Sequence, residues 1–565
     1  MSDSLKTEAA ASSSPDSTRE NAANPQPNGT SEKHSSSQID RAVRKDHTDT
    51  TVENEMELSR SQDQRTRPKD EGTDKDLEKG PPAGEKPKPT KETSKDPNLL
   101  TWNGPNDPEN PKNWNRGKKW AVTGIVASYA FISPLSSTMI APALDAIATE
   151  FRINSAVESQ VSLSIFVLAY ALGPLFLGPL SEIFGRVIVL QLSNLWYLAF
   201  NIGCGFCTSK SQMIAFRFLS GLGGSAPLAV GGGVLADCWK PEERGRALSI
   251  YSLAPLLGPV VGPVVGGFIT EYTTWRWVFW SSSVAAGAIQ VLGFIFLAES
   301  YAPTLLQWKA QKLRKETGNK ELHTPFDTPE KNMANTLKTG FIRPLKLIGT
   351  QMVVQIMGLY MAYIYGTLYL VLATFPAVWT GRYHESTGIG TLNYISLGIG
   401  FFVGAMVCGL LQDRVYGALK KRHNGVGRPE FRIPLMVPGS MLMPIGLFWY
   451  GWSAQAHVHW IVPNIGSCIL GAGVILGFQC IQTFLIDTYM RYAASAIGAG
   501  TVLRSLCGFA FPLFAPDMYD RLGYGWGNSL LAFVAIFLGV PGPWFLWKYG
   551  EKLRAKSTFA AGGGH

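Results

Sequence analysis

The chain has 565 residues, of which 46% are hydrophobic and only 16% charged, where soluble proteins carry about 25% charged residues. Its 51 Lys/Arg and 42 Asp/Glu divide unevenly: residues 1–100 hold 16 and 20, a net of −4, and the remainder hold 35 and 22, a net of +13. The overall +9 is thus an acidic tail plus basic loops beside apolar spans, which excludes reading it as a nucleic-acid-binding charge.

Residues 1–100 contain no aromatic residue and are rich in Ser, Thr, Pro, Lys, Asp and Glu. Too few apolar groups are present to offset the entropy of ordering, so a disordered cytoplasmic tail is expected. Asn28-Gly29-Thr30 fits a glycosylation pattern but falls in this cytoplasmic stretch. No charged n-region and short apolar run follow Met1, so a cleavable signal peptide is not expected, and the first apolar span serves as the insertion signal. Residues 101–118, with Trp102, Asp107, Asn110, Asn113 and Trp114 among prolines before Lys118 and Lys119, read as a segment lying at the membrane interface.

A membrane-crossing helix needs about 20 apolar residues. Twelve stretches qualify, near 119–142, 157–180, 187–207, 211–236, 247–271, 277–298, 348–374, 388–411, 432–453, 459–485, 493–515 and 526–548. Lys/Arg gather before span 1, at Arg186, at Lys240/Arg244/Arg246, through 309–346, at Arg414/Lys420/Lys421/Arg422/Arg428, at Arg491 and after span 12. The other loops carry only Arg152, Lys210, Arg276, Arg382 and Arg521. This asymmetry predicts that both termini are cytoplasmic. The basic loop 300–346 splits the spans into six and six, which predicts an N-terminal bundle over 119–299, a cytoplasmic central loop over 300–346, a C-terminal bundle over 347–548 and a cytoplasmic tail over 549–565. Gly178-Pro-Leu-Ser-Glu182 after span 2 is echoed by Gly409-Leu-Leu-Gln-Asp413 after span 8, as a duplicated architecture requires.

Span 5 is the most unusual of these helices. Gly258, Gly262 and Gly266 recur every four residues and stack on one face, so a neighbour can approach to backbone contact. Gly267 adjoins them. Pro259 and Pro263 each remove a helical hydrogen bond and favour a bend, tolerated where neighbouring helices satisfy the freed groups. The face is a packing surface or a sliding one.

The seven cysteines, Cys204, Cys207, Cys238, Cys408, Cys468, Cys480 and Cys507, lie in or at the ends of apolar segments with no zinc spacing, so neither a disulfide framework nor a metal site is expected. Gly221-Leu-Gly223-Gly224 and Gly231-Gly-Gly233 follow no strand and are not dinucleotide loops. His457-Val-His459 reads as solvated. No nucleophile triad and no nucleotide-binding Walker sequence is found, so neither an enzyme nor an ATP-driven pump is expected, and no cofactor is implied.

Several separate motifs together resemble the major facilitator superfamily, and in particular the fungal twelve-span drug:proton antiporters. Gly178-Pro-Leu-Ser-Glu182-Ile-Phe-Gly185-Arg186 resembles the family's loop 2–3 motif, with Glu182 where many members have Asp and Val187 where a basic residue is usual. Arg217-Phe-Leu-Ser-Gly221-Leu-Gly223-Gly224 resembles the span 4 motif, and Gly258-Pro259-Val-Val-Gly262-Pro263-Val-Val-Gly266-Gly267 the span 5 antiporter motif. Asp107-Pro-x-Asn110-Pro-x-Asn113-Trp114, Trp275-Arg276-Trp277-Val-Phe-Trp280 and Arg504-Ser-Leu-Cys-Gly-Phe-Ala-Phe-Pro512 resemble fungal members. The resemblance implies an all-α membrane fold of two six-helix bundles around a central cavity, with alternating access. It also implies a gate at Glu182 and Arg186, with Asp237 ending span 4 on the same side, and a link between Arg217 and proton coupling.

The residues themselves qualify these roles. A cation inside a span costs about 2.5–3.5 kcal/mol at helix centre, so Arg217 faces a partner or a cavity, or snorkels to the outer interface. Arg504 lies deeper and is either a pathway residue or helix-to-helix glue. Asp145, Glu158, Asp237, Glu299 and Asp487 all fall near span ends, leaving Asp237 and Glu158 as proton-site candidates against the alternative of interfacial anchors. Gln351, Gln355, Tyr363, Tyr365 and Tyr369 with Phe375 in span 7, and Gln479 and Gln482 in span 10, suit a pocket for amphipathic organic molecules, or simple interhelical packing. The leading expectation is proton-coupled export of drugs, toxins or a secondary metabolite across the plasma membrane, with a vacuolar membrane as the alternative, by a protein able to act as a monomer. The rivals are an importer or facilitator of a polyamine or vitamin, and a non-transporting ligand sensor whose tail signals.

Overall fold

The computed structural model describes residues 96, 98–104, 106–240, 243–327 and 333–560; the expectations for the acidic tail and for Asn28 lie outside them. Among the described residues, eleven helical stretches are long and apolar enough to cross a membrane. The last of these turns at Gly523, whose φ of 71° and ψ of 172° divide it into spans 11 and 12. A Cβ at Gly523 would also lie 2.9 Å from Gln455 Oε1, the oxygen that accepts the Gly525 N–H at 2.6 Å.

Span 1 is Arg116–Thr138, span 2 Ala156–Phe184 and span 3 Arg186–Gly205. Span 4 is broken at Ser225 into Lys210–Gly224 and Ala226–Cys238, where Pro227 sits in the first turn of the second piece. Span 5 is Arg244–Tyr272 and span 6 Arg276–Phe296. In the second half, span 7 is Met352–Ala377, span 8 Tyr394–Arg422, span 9 Met436–Gln455 and span 10 Ile461–Thr488. Spans 11 and 12 occupy Ala493–Gly539, and the helix Pro541–Ala555 follows. Large apolar side chains such as Val284 and Phe537, 71% and 74% exposed, ring the helices as a lipid-facing surface.

The stretch 300–346 departs from the expected loop, since it forms a helix over Ala302–Thr317 and most of another over Met333–Thr350. Local signals explain the first: Pro303 in the first turn, basic Arg314 and Lys315 in the last, and Gly318 in a left-handed cap with φ 71°. The segment before span 1 is fastened to this helix. Asp107 accepts the N–H groups of Asn103 and Glu109 at 2.8 and 2.9 Å. Lys309 pairs with Glu109 at 2.8 Å and with Asp107 at 3.6 Å, and Leu100 N–H donates to the His323 carbonyl at 2.7 Å. The two N–H bonds, with Lys309 beside them, hold the Asp107 carboxyl below its ordinary value.

We call the face bearing the basic loops the basic face. On the opposite face, Trp275 Nε1 and the Arg276 guanidinium both donate to Glu150, at 2.6 and 2.9 Å on one carboxylate oxygen, with Arg276 reaching the other oxygen at 2.6 Å. The tryptophan-arginine pair opening span 6 thus clamps the short helix Leu144–Glu150 that follows span 1.

Candidate functional site

The turn between spans 2 and 3 requires Gly185. Its φ is 100°, and a Cβ there would fall 2.5 Å from a Glu299 carboxylate oxygen. That tight turn starts span 3 on Arg186, whose Nε reaches Asp237 Oδ2 at 3.2 Å and whose Nη1 donates to Ser181 Oγ at 2.6 Å. The guanidinium also stacks 4.5 Å from the Tyr301 ring. Glu299 accepts four backbone N–H groups, from Arg186, Val187, Ser300 and Tyr301, at 2.9–3.1 Å. Three chain segments, at the ends of spans 3, 4 and 6, are therefore tied on the basic face.

Glu182 is placed differently from the expected acid–guanidinium–acid network. It is exposed and, among the described residues, makes no hydrogen bond or ion pair. The acid that meets this turn is Glu299, which holds the backbone N–H groups of Arg186 and Val187 rather than the guanidinium, because the Gly185 turn carries the start of span 3 toward the end of span 6. Glu299→Gln is expected to lower the stability of the purified protein by about 1–3 kcal/mol, the scale of hydrogen bonds to a charged acceptor. Glu182→Gln should stay within about 0.5 kcal/mol. Thermal unfolding decides, and equal stabilities would show that the four N–H bonds carry no weight.

The C-terminal half has a counterpart that the sequence reading missed. Arg432 donates to Asp487 at 2.8 Å and Asp413 at 2.6 Å and stacks 4.4 Å from Tyr416. Nearby, Glu430 is held by Arg554 at 2.8 and 2.9 Å. The signal was positional: Arg432 precedes span 9 as Arg186 opens span 3, and Asp487 closes span 10 as Asp237 closes span 4.

Arg217 is fully buried and does not snorkel. The glycine run beside it makes this burial feasible: a Cβ at Gly221 would lie 2.7 Å from the Phe166 carbonyl, and one at Gly223 2.4 Å from the Ser193 carbonyl, so span 4 presses against spans 2 and 3. Arg217 donates to the carbonyls of Ser136, Ser137, Ser162 and Leu163 at 3.0–3.4 Å. Ser136 and Ser137 occupy the last turn of span 1, where carbonyls lack helical partners and the helix dipole is negative. Phe166 lies 4.5 Å from the guanidinium. Glu158 is placed on the surface, paired with Lys210 at 2.7 Å, both about half exposed.

Gly258, Gly262 and Gly266 all face span 1. A Cβ on them would meet Leu135 N at 2.8 Å, Leu135 O at 2.5 Å and Met139 O at 2.1 Å. Pro259 and Pro263 are buried within a helix that stays continuous over 29 residues. The other side of span 5 meets the C-terminal bundle. A Cβ at Gly267 would strike Thr391 Oγ1 at 2.1 Å, and one at Gly398 would lie 2.7 Å from Val260. The Glu271 carboxylate accepts the Gly388 N–H. On the basic side, Phe176 of span 2 packs 5.4 Å from Phe341 of the helix Met333–Thr350 that leads into span 7.

Of the pocket candidates, Tyr365 and Tyr369 lie between the bundles. Their rings are 4.9 Å apart, and the Tyr369 hydroxyl is 3.1 Å from Ser137 Oγ of span 1. Gly508 packs against both Tyr365 and Val167 of span 2. Tyr363 instead points inside its own bundle and donates to the Leu531 carbonyl of span 12, and Phe375 packs against Tyr394 and Tyr450. Gln351 and Gln355 are also placed away from a pocket, since they sit at the basic-face end of span 7. There Gln351 accepts from Ser557 and Gln355 donates to the Ile348 carbonyl. Gln479 and Gln482 are half-buried on span 10, and their side chains make no hydrogen bond among the described residues. Arg504 of span 11 is stacked between Tyr365 and Phe478, 5.0 and 5.2 Å from the ring centroids.

Comparison with known proteins agrees with this architecture. The Major Facilitator Superfamily family model matches residues 126–512. The chain is 54% identical over 487 residues to the efflux pump vrtL of Penicillium aethiopicum, covering 86% of this chain and 96% of that protein. It is 45% identical to an uncharacterized transporter of Schizosaccharomyces pombe, covering 83% and 95%. Among solved structures it is similar to the proton:xylose symporter XylE, with a TM-score of 0.57 at 16% identity, covering 77% of this chain and 96% of that chain. The protein therefore belongs to the Major Facilitator Superfamily. It is an integral membrane transporter of small molecules with two six-helix bundles, and not an enzyme.

Proposed function

We propose that this transporter exports small organic compounds, drugs, toxins or a secondary metabolite, by proton antiport with alternating access. The observation that carries the reading is the two-sided packing of span 5: one face is locked against span 1 by Gly258, Gly262 and Gly266, and the other closes on Thr391 and Gly398 of the second bundle. A rigid span 1–span 5 pair that opens and closes against spans 7 and 8 is the moving contact that alternating access needs. The similarity to a protein named an efflux pump favours the outward direction.

In this reading the basic face and both termini are cytoplasmic and the protein sits in the plasma membrane. The Arg186–Asp237 pair is the gate, with Glu299 fixing the backbone where span 3 begins, and Arg217 holds the outer ends of spans 1 and 2 in register during turnover. Asp237 is the better proton site of the two span-edge acids, since it is partly buried against Arg186 while Glu158 is an exposed pair.

The test is uptake of fluorescent organic compounds into inside-out vesicles bearing the protein, with and without an imposed pH gradient. Accumulation that requires the gradient and collapses with a protonophore is the expected result. Gradient-independent equilibration would replace antiport with facilitated diffusion, and no movement of any compound would favour a ligand sensor.

A further inference from the structure

We propose that Arg504 is the substrate-recognition cation of this transporter, and that its site takes planar aromatic compounds carrying an ionised acidic group. The substrate class deepens the export reading given above and rests on it only for the word substrate.

The two intramembrane arginines are in opposite states. Arg217 has its guanidinium occupied by four carbonyls. Arg504 has none: its Nε is buried without a hydrogen-bond partner, and among the described residues the guanidinium makes no hydrogen bond or ion pair. A guanidinium stays charged throughout the ordinary pH range. Arg504 is half-buried; its buried Nε costs free energy while it lacks a partner, and a bound anion that accepts from it removes that cost.

Among the described residues, no carboxylate pairs with this guanidinium. Asp517, the next acid along the same helix, is 13 residues on, roughly 20 Å along the axis. Asp487 at the end of span 10 is already engaged by Arg432.

The surroundings define the rest of the ligand. Tyr365 and Phe478 bracket the guanidinium, so an aromatic plane entering beside it meets one π face and a cation. Tyr365 continues to Tyr369, which reaches Ser137 in the other bundle, so a ligand here lies at the seam that alternating access moves. Gln482, one helical turn from Phe478 on the same side of span 10, and Gln479 have free amides to bind hydroxyl or carbonyl substituents. A fork of N–H donors and a stacking ring select a carboxylate, sulfonate, ionised phenol or ionised enol on a flat ring system over an organic cation.

The experiment uses the full chain in nanodiscs at neutral pH and two fluorescent probes with the same rings, anilinonaphthalene sulfonate and uncharged N-phenylnaphthylamine. The wild type is expected to bind the sulfonate about ten-fold more tightly, the scale of one charge-assisted hydrogen bond. Arg504→Gln should erase that preference while the uncharged probe stays within about two-fold. Arg504→Lys, which keeps the charge but loses the planar fork, should retain part of the preference. Equal affinity of the wild type for both probes would overturn the proposal without reference to any variant. So would a preference that survives Arg504→Gln, or loss of both probes together in that variant, which would assign Arg504 to packing. Binding needs no gradient, so failure of antiport in vesicles leaves this result standing, and failure here leaves the export test untouched.

Discussion

Gly262→Val is expected to abolish gradient-driven flux and to destabilise the protein. A Cβ at this position would lie 2.5 Å from the Leu135 carbonyl, 2.8 Å from Thr138 Oγ1 and 3.2 Å from the Met139 amide. Two of those three neighbours are backbone, so no rotamer change relieves the clash and spans 1 and 5 must separate. Overpacking of this kind costs about 1–3 kcal/mol. The functional loss should exceed what stability predicts, because the far side of the same helix carries the Val260 and Gly267 contacts to the second bundle. Pushing span 5 off span 1 drives it into Thr391 and Gly398, just before and just after the start of span 8. Gly124→Ala in span 1 is the matched control, with nothing within 4 Å of the added carbon. Vesicle uptake and thermal unfolding measured side by side test this, and wild-type flux in Gly262→Val would remove the support that span 5 gives to the antiport reading.

The second large effect is at Arg217. Arg217→Leu should lower stability by about 3 kcal/mol or more, since each hydrogen bond from a charged donor contributes about 1.5–3 kcal/mol and the four act as one unit. The bonds tie span 4 to two other spans at once: Ser136 and Ser137 end span 1, while Ser162 and Leu163 lie in the first turns of span 2. Arg217→Lys separates charge from geometry. A single ammonium keeps the charge but cannot spread donors over two helices as a planar fork does, so flux should fall at least about ten-fold with an intermediate loss of stability. If Arg217→Lys transports normally, the charge alone suffices and the carbonyl cradle has no role in turnover.

Much of the fold was legible because its determinants are local. Apolar runs of membrane length, basic loops on alternate turns and the long interruption before span 7 fix twelve spans and their division. Gly258, Gly262 and Gly266 announced a close-packed helix face, and the contacts to Leu135 and Met139 are what such spacing allows. The site was less legible, for physical reasons that differ by residue. Glu182 is the acid that the loop 2–3 resemblance sets beside Arg186 as a gate, but the left-handed turn at Gly185 brings the start of span 3 against Glu299 instead, 113 residues along the chain. Tyr363, Tyr365 and Tyr369 share one helix, yet a rotation of 100° per residue sends Tyr363 into its own bundle and Tyr365 toward Arg504. Composition alone makes Gln351 and Gln355 pocket amides, but their amides are engaged by Ser557 and by the Ile348 carbonyl at the basic-face end of span 7. Arg217 showed its position but not its partners, since backbone carbonyls carry no mark in a sequence.

The fastening of the lead-in segment to the helix Ala302–Thr317 also sets an order of events during synthesis. Asp107 and Glu109 leave the ribosome about 200 residues before Lys309, their partner in two ion pairs, and Leu100 waits longer still for His323. At about 5–20 residues per second, that interval is roughly ten to forty seconds. Span 1 therefore enters the bilayer first, while the stretch that leads into it is secured only after span 6 has been made. Its closure becomes possible only once all six spans of the N-terminal bundle have been made.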